Sequence, residues 1–257
     1  MIELTDIIFL IVRTASKRLP KKALLKIKNK PLIKILIDRI TKSYKKAKII
    51  VCTTNHKSDD GLVKFLIDNN IEVFRGDNKN ILKRLYLAAK KFMVEQFVVV
   101  EGDDVFCEPM LMKETYRQLR SSKYEFVVWE NLPFGVSPMG IKTSKLGKLI
   151  KIKDIRNTET GWGEFIIKSK LFKTRRLKPA DKTLMRPEIR LSVDYLEDYK
   201  LAKKIYRHMP QKFSLKDIII ILDKNPQWLK INESVKSKYV ENFEKQVKML
   251  YKSRNKI

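Results

Sequence analysis

Three short runs of β-branched and aromatic residues constrain the fold of this chain more than any other feature. They are Ile7–Val12, Lys48–Thr54 and Gln96–Val100. None shows the polar alternation of a half-exposed strand, so each reads as a strand buried on both faces. Helical spacing fills the intervals. Pro31 opens Leu32–Ser43, where Leu32, Ile33, Leu36, Ile37 and Ile40 share a face. Asp59 and Asp60 stand where a helix through Leu62–Asn69 should begin. Ile71–Phe74 is a short strand, and Asn80–Phe92 is a third helix with Ile81, Leu82, Leu85, Ala88 and Ala89 on one side. Strands alternating with helices over a hundred residues predict an α/β domain on a mostly parallel sheet.

The second half is less regular. Glu125–Trp129 reads as a strand, and Asn131–Gly140, with two Pro and two Gly, as a loop. Lys142–Asp154 is expected to hold a short element followed by a strand or hairpin, and residues 173–188 a basic surface loop. Arg190–Val193 reads as a strand and Leu196–Tyr206 as a helix. Ser214 is an N-cap for the helix through Leu222. In the Lys-rich tail, Val235, Tyr239, Phe243, Val247 and Leu250 recur at three- and four-residue steps. One face of a helix there must pack on something, either the same chain or a second copy in a homodimer.

Composition enters through charge. The 257 residues carry 56 Lys+Arg against 29 Asp+Glu, a formal net charge of +27. That surplus invites a nucleic-acid reading. However, 42 of the basic residues are Lys and only 14 are Arg, the residue best suited to phosphate and base edges. The surplus is also uneven: residues 1–56 are net +11, and residues 57–110 are net −2. A solvated Lys-rich surface explains it, and no nucleic-acid partner is expected. The apolar runs Ile7–Val12 and Ile218–Leu222 are far too short to span a bilayer, so no membrane partner is expected and a cytoplasmic location is. Two cysteines, Cys52 and Cys107, provide no disulfide framework.

In an open parallel sheet, ligands bind at the carboxyl ends of the strands. Three features fall there. Arg13–Lys22 follows the first strand with two Arg, three Lys and two hydroxyls just ahead of a helix. It is either a solvated basic loop or a seat for a multiply charged anion. Gly102-Asp103-Asp104 follows the third apolar run, as a turn or as a source of carboxylates for a hard cation such as Mg²⁺. Asp194 ends the expected strand at Arg190–Val193, as a helix cap or as a second carboxylate for the same cation. Together they make the inventory of a metal-dependent nucleotidyl transfer site.

The residues then match a known pattern. Arg13-x-x-Ser16-x-Arg18-Leu19-Pro20-x-Lys22, followed by Lys30-Pro31-Leu32, resembles the amino-terminal signature of cytidylyltransferases that activate sugars. The chain is most similar to the spore-coat-polysaccharide-type cytidylyltransferases, relatives of the 3-deoxy-manno-octulosonate and acylneuraminate enzymes. Further matches are Thr53-Thr54 with Asp59-Asp60, Val73-Phe74-Arg75-Gly76, Leu82-x-Arg84-x-Tyr86-x-x-Ala89 and Gly102-Asp103. Arg190-Leu191-x-Val193-Asp194-x-x-Glu197-Asp198-Tyr199, Phe213-Ser214-Leu215 and Lys230-Ile231-Asn232 complete the set. The likeness covers roughly residues 7–110 and 186–233. The chain has Ala15 and Lys21 where the family has Gly, Val105 follows the Gly-Asp motif in place of a Pro, and Tyr195 replaces a Thr.

This resemblance implies a Rossmann-like, GT-A-like nucleotidyltransferase domain over residues 1–210 and a helical extension over 211–257. It implies an enzyme that joins CMP from CTP to an acceptor, uses Mg²⁺ and serves surface-glycan or related conjugate synthesis. Arg13, Ser16, Arg18 and Lys22 would hold the triphosphate, with Arg13, Lys22, Asp103 and Asp194 as the catalytic set. Asp103 and Asp194 would bind the metal. Thr53, Thr54, Arg75 and Asn80 are candidates for the base and ribose. Gly135 and Trp162, from loops mixing Gly and aromatics, and Arg190 are candidates for the acceptor. The basic residues of 168–190 favour an anionic acceptor: a sugar acid, a phosphorylated polyol or a phosphonate. The competing readings are a transferase with another base preference and a nucleic-acid-binding scaffold on a degenerate transferase fold.

Overall fold

Strand β1 (Asp6–Ile11) lies inside a seven-stranded sheet in the computed structural model, which describes residues 5–121, 123–151, 157–159 and 161–252, with side chains up to Glu244. Its residues face two ways. Phe9 and Ile11 enter one hydrophobic cluster with Leu82, Leu85 and Phe97. Ile8 and Leu10 enter another with Ile33, Leu36, Ile37 and Leu62. A strand with apolar layers on both faces has no polar position to spare, which is why its sequence runs unbroken.

The chain then makes a two-residue ribbon, β2 (Lys26–Ile27) with β3 (Lys30–Pro31), and enters helix α1 (Leu32–Ser43). Strand β4 (Ala47–Thr54), helix α2 (Asp60–Asp68), strand β5 (Glu72–Gly76), helix α3 (Ile81–Lys91) and strand β6 (Gln96–Glu101) follow. β1 pairs in parallel with β4 and β6, and β4 with β5. Helix α3 is capped by Asn80, whose side chain accepts from the Lys83 amide at 2.9 Å.

Helix α4 (Pro109–Arg120) leads to β7 (Phe126–Trp129) and β8 (Met139–Lys142), and the sheet order is β5-β4-β1-β6-β8-β7 with β9 (Thr174–Leu177) at the far edge. β8 runs antiparallel to both β6 and β7, whereas β9 is parallel to β7. The second half departs from the sequence reading in four places. Met139 and Gly140, expected in a loop, belong to β8. Thr143–Ile150 is a helix, α5, and residues 152–156 lie outside the described residues. Part of the basic segment 173–188 is the edge strand β9, where outward Arg175 and Arg176 are the charges that edge strands tolerate. Arg190–Val193 is not a strand. Leu191 N and Ser192 N both donate to the Phe134 carbonyl, at 2.7 and 3.2 Å, while Val193 N donates to Asp103 O at 3.0 Å.

Helix α6 (Trp162–Lys168) covers β6 and β8, and α7 (Leu196–His208) and α8 (Leu215–Lys224) build a third cluster around Phe106, Leu201 and Ile218. Ser214 caps α8, and Asp217 reciprocates by accepting from the Ser214 amide at 2.8 Å. A 3₁₀ segment, Pro226–Ile231, leads to α9 (Glu233–Lys252). Helix α9 turns Val235, 1 % exposed, and Tyr239 toward its own chain. The side chains of Val247 and Leu250 lie outside the described residues.

Candidate active site

The loop after β1 folds back on itself before it reaches its charged residues. Thr14 N donates to Asp59 Oδ1 at 2.8 Å, and the Thr14 carbonyl accepts from Ser16 N at 2.8 Å and Lys21 N at 3.1 Å. Lys21 then takes the left-handed conformation, φ 53° and ψ 27°. This is one of the two positions where the family has Gly, and the backbone keeps the glycine-like path although a lysine stands there. The other, Ala15, has no positive φ. The 3₁₀ turn Lys22–Leu24 that follows directs Lys22 inward, leaving its side chain 13 % exposed.

The end of β6 and the irregular segment before α7 bring the carboxylates to meet it. Gly102 N donates to Ile11 O at 2.8 Å, and a Cβ on Gly102 would stand 2.7 Å from Val12 Cβ, so only glycine allows the approach. The bond from Val193 N to Asp103 O ties Asp103 to the segment carrying Asp194. Lys22 Nζ therefore touches both carboxylates: Asp103 Oδ2, and Asp194 Oδ1 at 2.9 Å. Arg18 reaches the same Asp194 Oδ1 at 2.5 Å, and Arg190 takes Oδ2 at 2.8 Å. Burial disfavours the charged form of Lys22, but Asp103 and Asp194 outweigh it and push its pKa up. Burial likewise opposes ionisation of Asp194, and Lys22 and Arg18 hold its carboxyl below the ordinary range.

Behind this group lies a buried clamp. Asp198, in the first turn of α7, accepts from Arg190 Nε at 3.0 Å, from Asp194 N at 3.0 Å and from Tyr195 N at 3.1 Å. Asn232 donates to Asp198 Oδ1 at 2.9 Å and to Arg190 O at 3.1 Å. The guanidinium of Arg190, 6 % exposed, is thus spent on Asp194 and Asp198 rather than turned toward open solvent. Beside Asp103, burial pushes Glu101 up to about 7 and holds Asp104 well above its ordinary value, with the Asp103 charge adding to both.

The structure thus gathers Arg18, Lys22, Asp103, Asp194 and Arg190 at one point. The other candidates are engaged nearby. Ser16 Oγ accepts from Leu19 N at 3.2 Å and stiffens the loop. Arg13 pairs with Glu159 at 2.7 Å, and Glu159 also pairs with the buried Arg84 at 3.0 Å. Thr53 and Thr54 are buried and turn their hydroxyls to Asp59. Arg75 donates to the carbonyls of Thr54 and His56, both at 3.0 Å, and pairs with Asp60. Asn80 is the α3 cap and is buried. Trp162 is buried and donates its indole N–H to Glu101 at 3.0 Å. Gly135, at φ 91°, lies against Ser192: a Cβ there would stand 2.3 Å from Ser192 N. Sequence reasoning missed Glu159 and the aromatic Tyr239. It had Asp198 and Asn232 only as matched letters, with no sign of their clamp.

Asp103 and Asp194 fit a hard divalent cation. Two carboxylates already converge on one positive centre, the Lys22 ammonium, which stands in for such an ion. Among the described residues no group of three or more His, Cys, Asp or Glu converges. A Mg²⁺ ion held by one or two carboxylates and completed by phosphate oxygens and water suits that donor set.

Comparison with known proteins gives a consistent picture. The sequence profile of the family described as "Cytidylyltransferase" matches residues 7–253. An uncharacterised protein of Methanocaldococcus jannaschii is 32 % identical over 228 residues, covering 88 % of this chain and 93 % of its own. The spore coat polysaccharide biosynthesis protein SpsF of Bacillus subtilis is 25 % identical over 234 residues, covering 87 % and 96 %. Among solved structures, a cytidylyltransferase from Leptospira borgpetersenii superposes with a TM-score of 0.76 at 23 % identity, over 87 % of this chain and 95 % of that one.

Proposed function

The chain belongs to the cytidylyltransferase family, and on that premise we propose that it transfers CMP from CTP to an anionic acceptor and releases pyrophosphate. The observation that carries this reading is the convergence of Lys22 on Asp103 and Asp194, with Arg18 on Asp194, beside the carboxyl ends of β1 and β6. The likeness to a polysaccharide biosynthesis protein favours a sugar acid, a phosphorylated polyol or a phosphonate as acceptor, and a role in making a surface glycan or related conjugate.

The chemistry asks the protein mainly for position and charge. An acceptor oxygen attacks the α-phosphorus of CTP, an O–P bond forms, and the bond to the β-phosphate oxygen breaks in line. Arg13, Arg18 and Lys22 would neutralise the triphosphate and then the leaving pyrophosphate. Asp103 and Asp194 would hold Mg²⁺, which would supply neutralisation of the charge that develops on transfer. For the phosphates to engage Lys22 and Arg18, these cations exchange the carboxylates they pair with here for phosphate oxygens. Ser16 would keep the loop in place, while Thr53, Thr54, Arg75 and Asn80 would support the side on which the base and ribose lie. Gly135, Trp162 and Arg190 would support the acceptor side, Arg190 acting from behind Asp194.

Pyrophosphate release with CTP, ATP, UTP and GTP, across a panel of sugar acids, phosphorylated polyols and phosphonates, tests the reading. Turnover is expected with CTP alone. Asp103→Ala and Asp194→Ala should each lower it at least a hundredfold, in the range of losing an essential electrostatic group. Wild-type turnover in either variant would overturn the metal assignment.

A further inference from the structure

The C-terminal helix carries an aromatic ring into the charged cluster, and nothing in the transfer chemistry above uses it. Tyr239, on α9, lies with its ring centroid 4.4 Å from the Arg190 guanidinium carbon and 5.6 Å from that of Arg18. Phe134 sits 4.9 Å from Arg190 and 5.0 Å from Tyr239, and Tyr195 sits 5.2 Å from Arg18. Arg18 therefore lies against two tyrosine rings, from α9 and from the N-cap of α7. Asn242, one turn further along α9, donates to the Tyr195 hydroxyl at 3.2 Å and links the two supports. Val235 is 1 % exposed and Tyr239 packs near Phe243, so the helix is seated at this end.

A planar guanidinium held against aromatic faces keeps its charge and its donor edge while losing orientations. Arg18 needs that support. Its side chain is 36 % exposed, and its carboxylate partner among the described residues, Asp194, already serves Lys22 and Arg190. Arg190 needs it less, being fixed by Asp198 and Asp194.

We propose that Tyr239 is a positioning residue of the anion site: through its ring, the C-terminal helix holds Arg18 ready for a polyphosphate. This rests on the reading of Arg18 as a phosphate ligand. The test is calorimetric binding of inorganic pyrophosphate, and separately of CTP, to the full chain. Tyr239→Leu, which keeps apolar bulk but loses the ring, is expected to weaken pyrophosphate binding about tenfold, equivalent to about 1.4 kcal/mol. Tyr239→Phe is expected to restore it to within about twofold, because the ring face and not the hydroxyl does the holding. Val240→Ala, an exposed position on the same helix, should leave it unchanged. In an Arg18→Met background the cost of Tyr239→Leu should largely vanish, a coupling that general loosening of the helix would not produce.

If Tyr239→Leu binds pyrophosphate like the wild type, or Tyr239→Phe is as weak as Tyr239→Leu, the inference fails. Equal cost in the Arg18→Met background also overturns it. Tyr239→Met substitutes if the Leu variant melts early. Wild-type binding of pyrophosphate without preference for CTP over other nucleotides would defeat the cytidine reading alone. Binding of CTP with none of pyrophosphate would defeat the inference alone.

Discussion

At Asp59 one fully buried carboxylate gathers the ends of two strands. It accepts from Thr14 N, lies within hydrogen-bond reach of the Thr14 hydroxyl, and accepts from Thr53 Oγ1 at 2.8 Å and Thr54 N at 3.2 Å. Burial alone would raise its pKa, and the bonds from Thr14, Thr54 and Thr53 outweigh that and hold it below the ordinary value. A depressed carboxyl stabilises the fold above its unfolded pKa, about 3.9, and that share is lost as pH falls through the lower folded value. Asp59→Asn should cost about 1–3 kcal/mol at neutral pH, because an amide cannot accept all these bonds. Urea titrations should also show a shallower loss of stability below about pH 4 than in the wild type. The sequence offers Asp59 as a helix start, Thr53-Thr54 as ligand candidates, and the two together as a matched motif with no sign that they bond to each other. Their mutual bonds cross from one strand end to another, which spacing along the chain cannot reveal. Lys22, Asp103 and Asp194 were legible because each falls within a motif by which the chain resembles its family, although each also had an ordinary structural use. Lys21 was legible as a departure, and its backbone takes the left-handed conformation that glycine adopts at least cost.

The elements of the first hundred residues follow the apolar periodicity closely, since strands buried on both faces leave unbroken runs. α1 matches Leu32–Ser43, and α3 begins one residue after Asn80. β8 and β9 are four residues each and part-polar, so they leave no such mark. What organises that half is a close approach of two irregular segments at Gly135. Its φ of 91° and the Ser192 amide 2.3 Å from any added Cβ make it intolerant of a side chain. Gly135→Ala should destabilise by roughly 2–4 kcal/mol through backbone strain and overlap. Because Ser192 lies between Arg190 and Asp194, the same variant should lose pyrophosphate release even where melting curves show a folded protein.

Across the whole molecule, the surplus of +27 is not concentrated at the candidate site. There Arg18, Lys22 and Arg190 face Asp103, Asp194 and Asp198, a balanced set. The excess lies in Lys on helices and loops, where it raises non-specific attraction to polyanions without forming a reader of them. Duplex DNA or RNA at about 0.15 M salt should therefore fail to displace bound CTP, any residual binding should fall steeply with salt, and Asp194→Ala should bind nucleic acid as the wild type does. Displacement of CTP by duplex in a competition titration would favour the scaffold reading instead. Among the described residues no helix is long and apolar enough to cross a membrane.

The Lys22 ammonium has a consequence for biogenesis. Two neighbouring carboxylates brought together without a cation would repel, and proteins that rely on an external ion to quench such repulsion fold only when it is supplied. Here the counter-ion is covalently part of the chain, delivered by the 3₁₀ turn after Lys21. The chain itself therefore neutralises the two carboxylates that it brings together, with no call on an outside ion to assemble them.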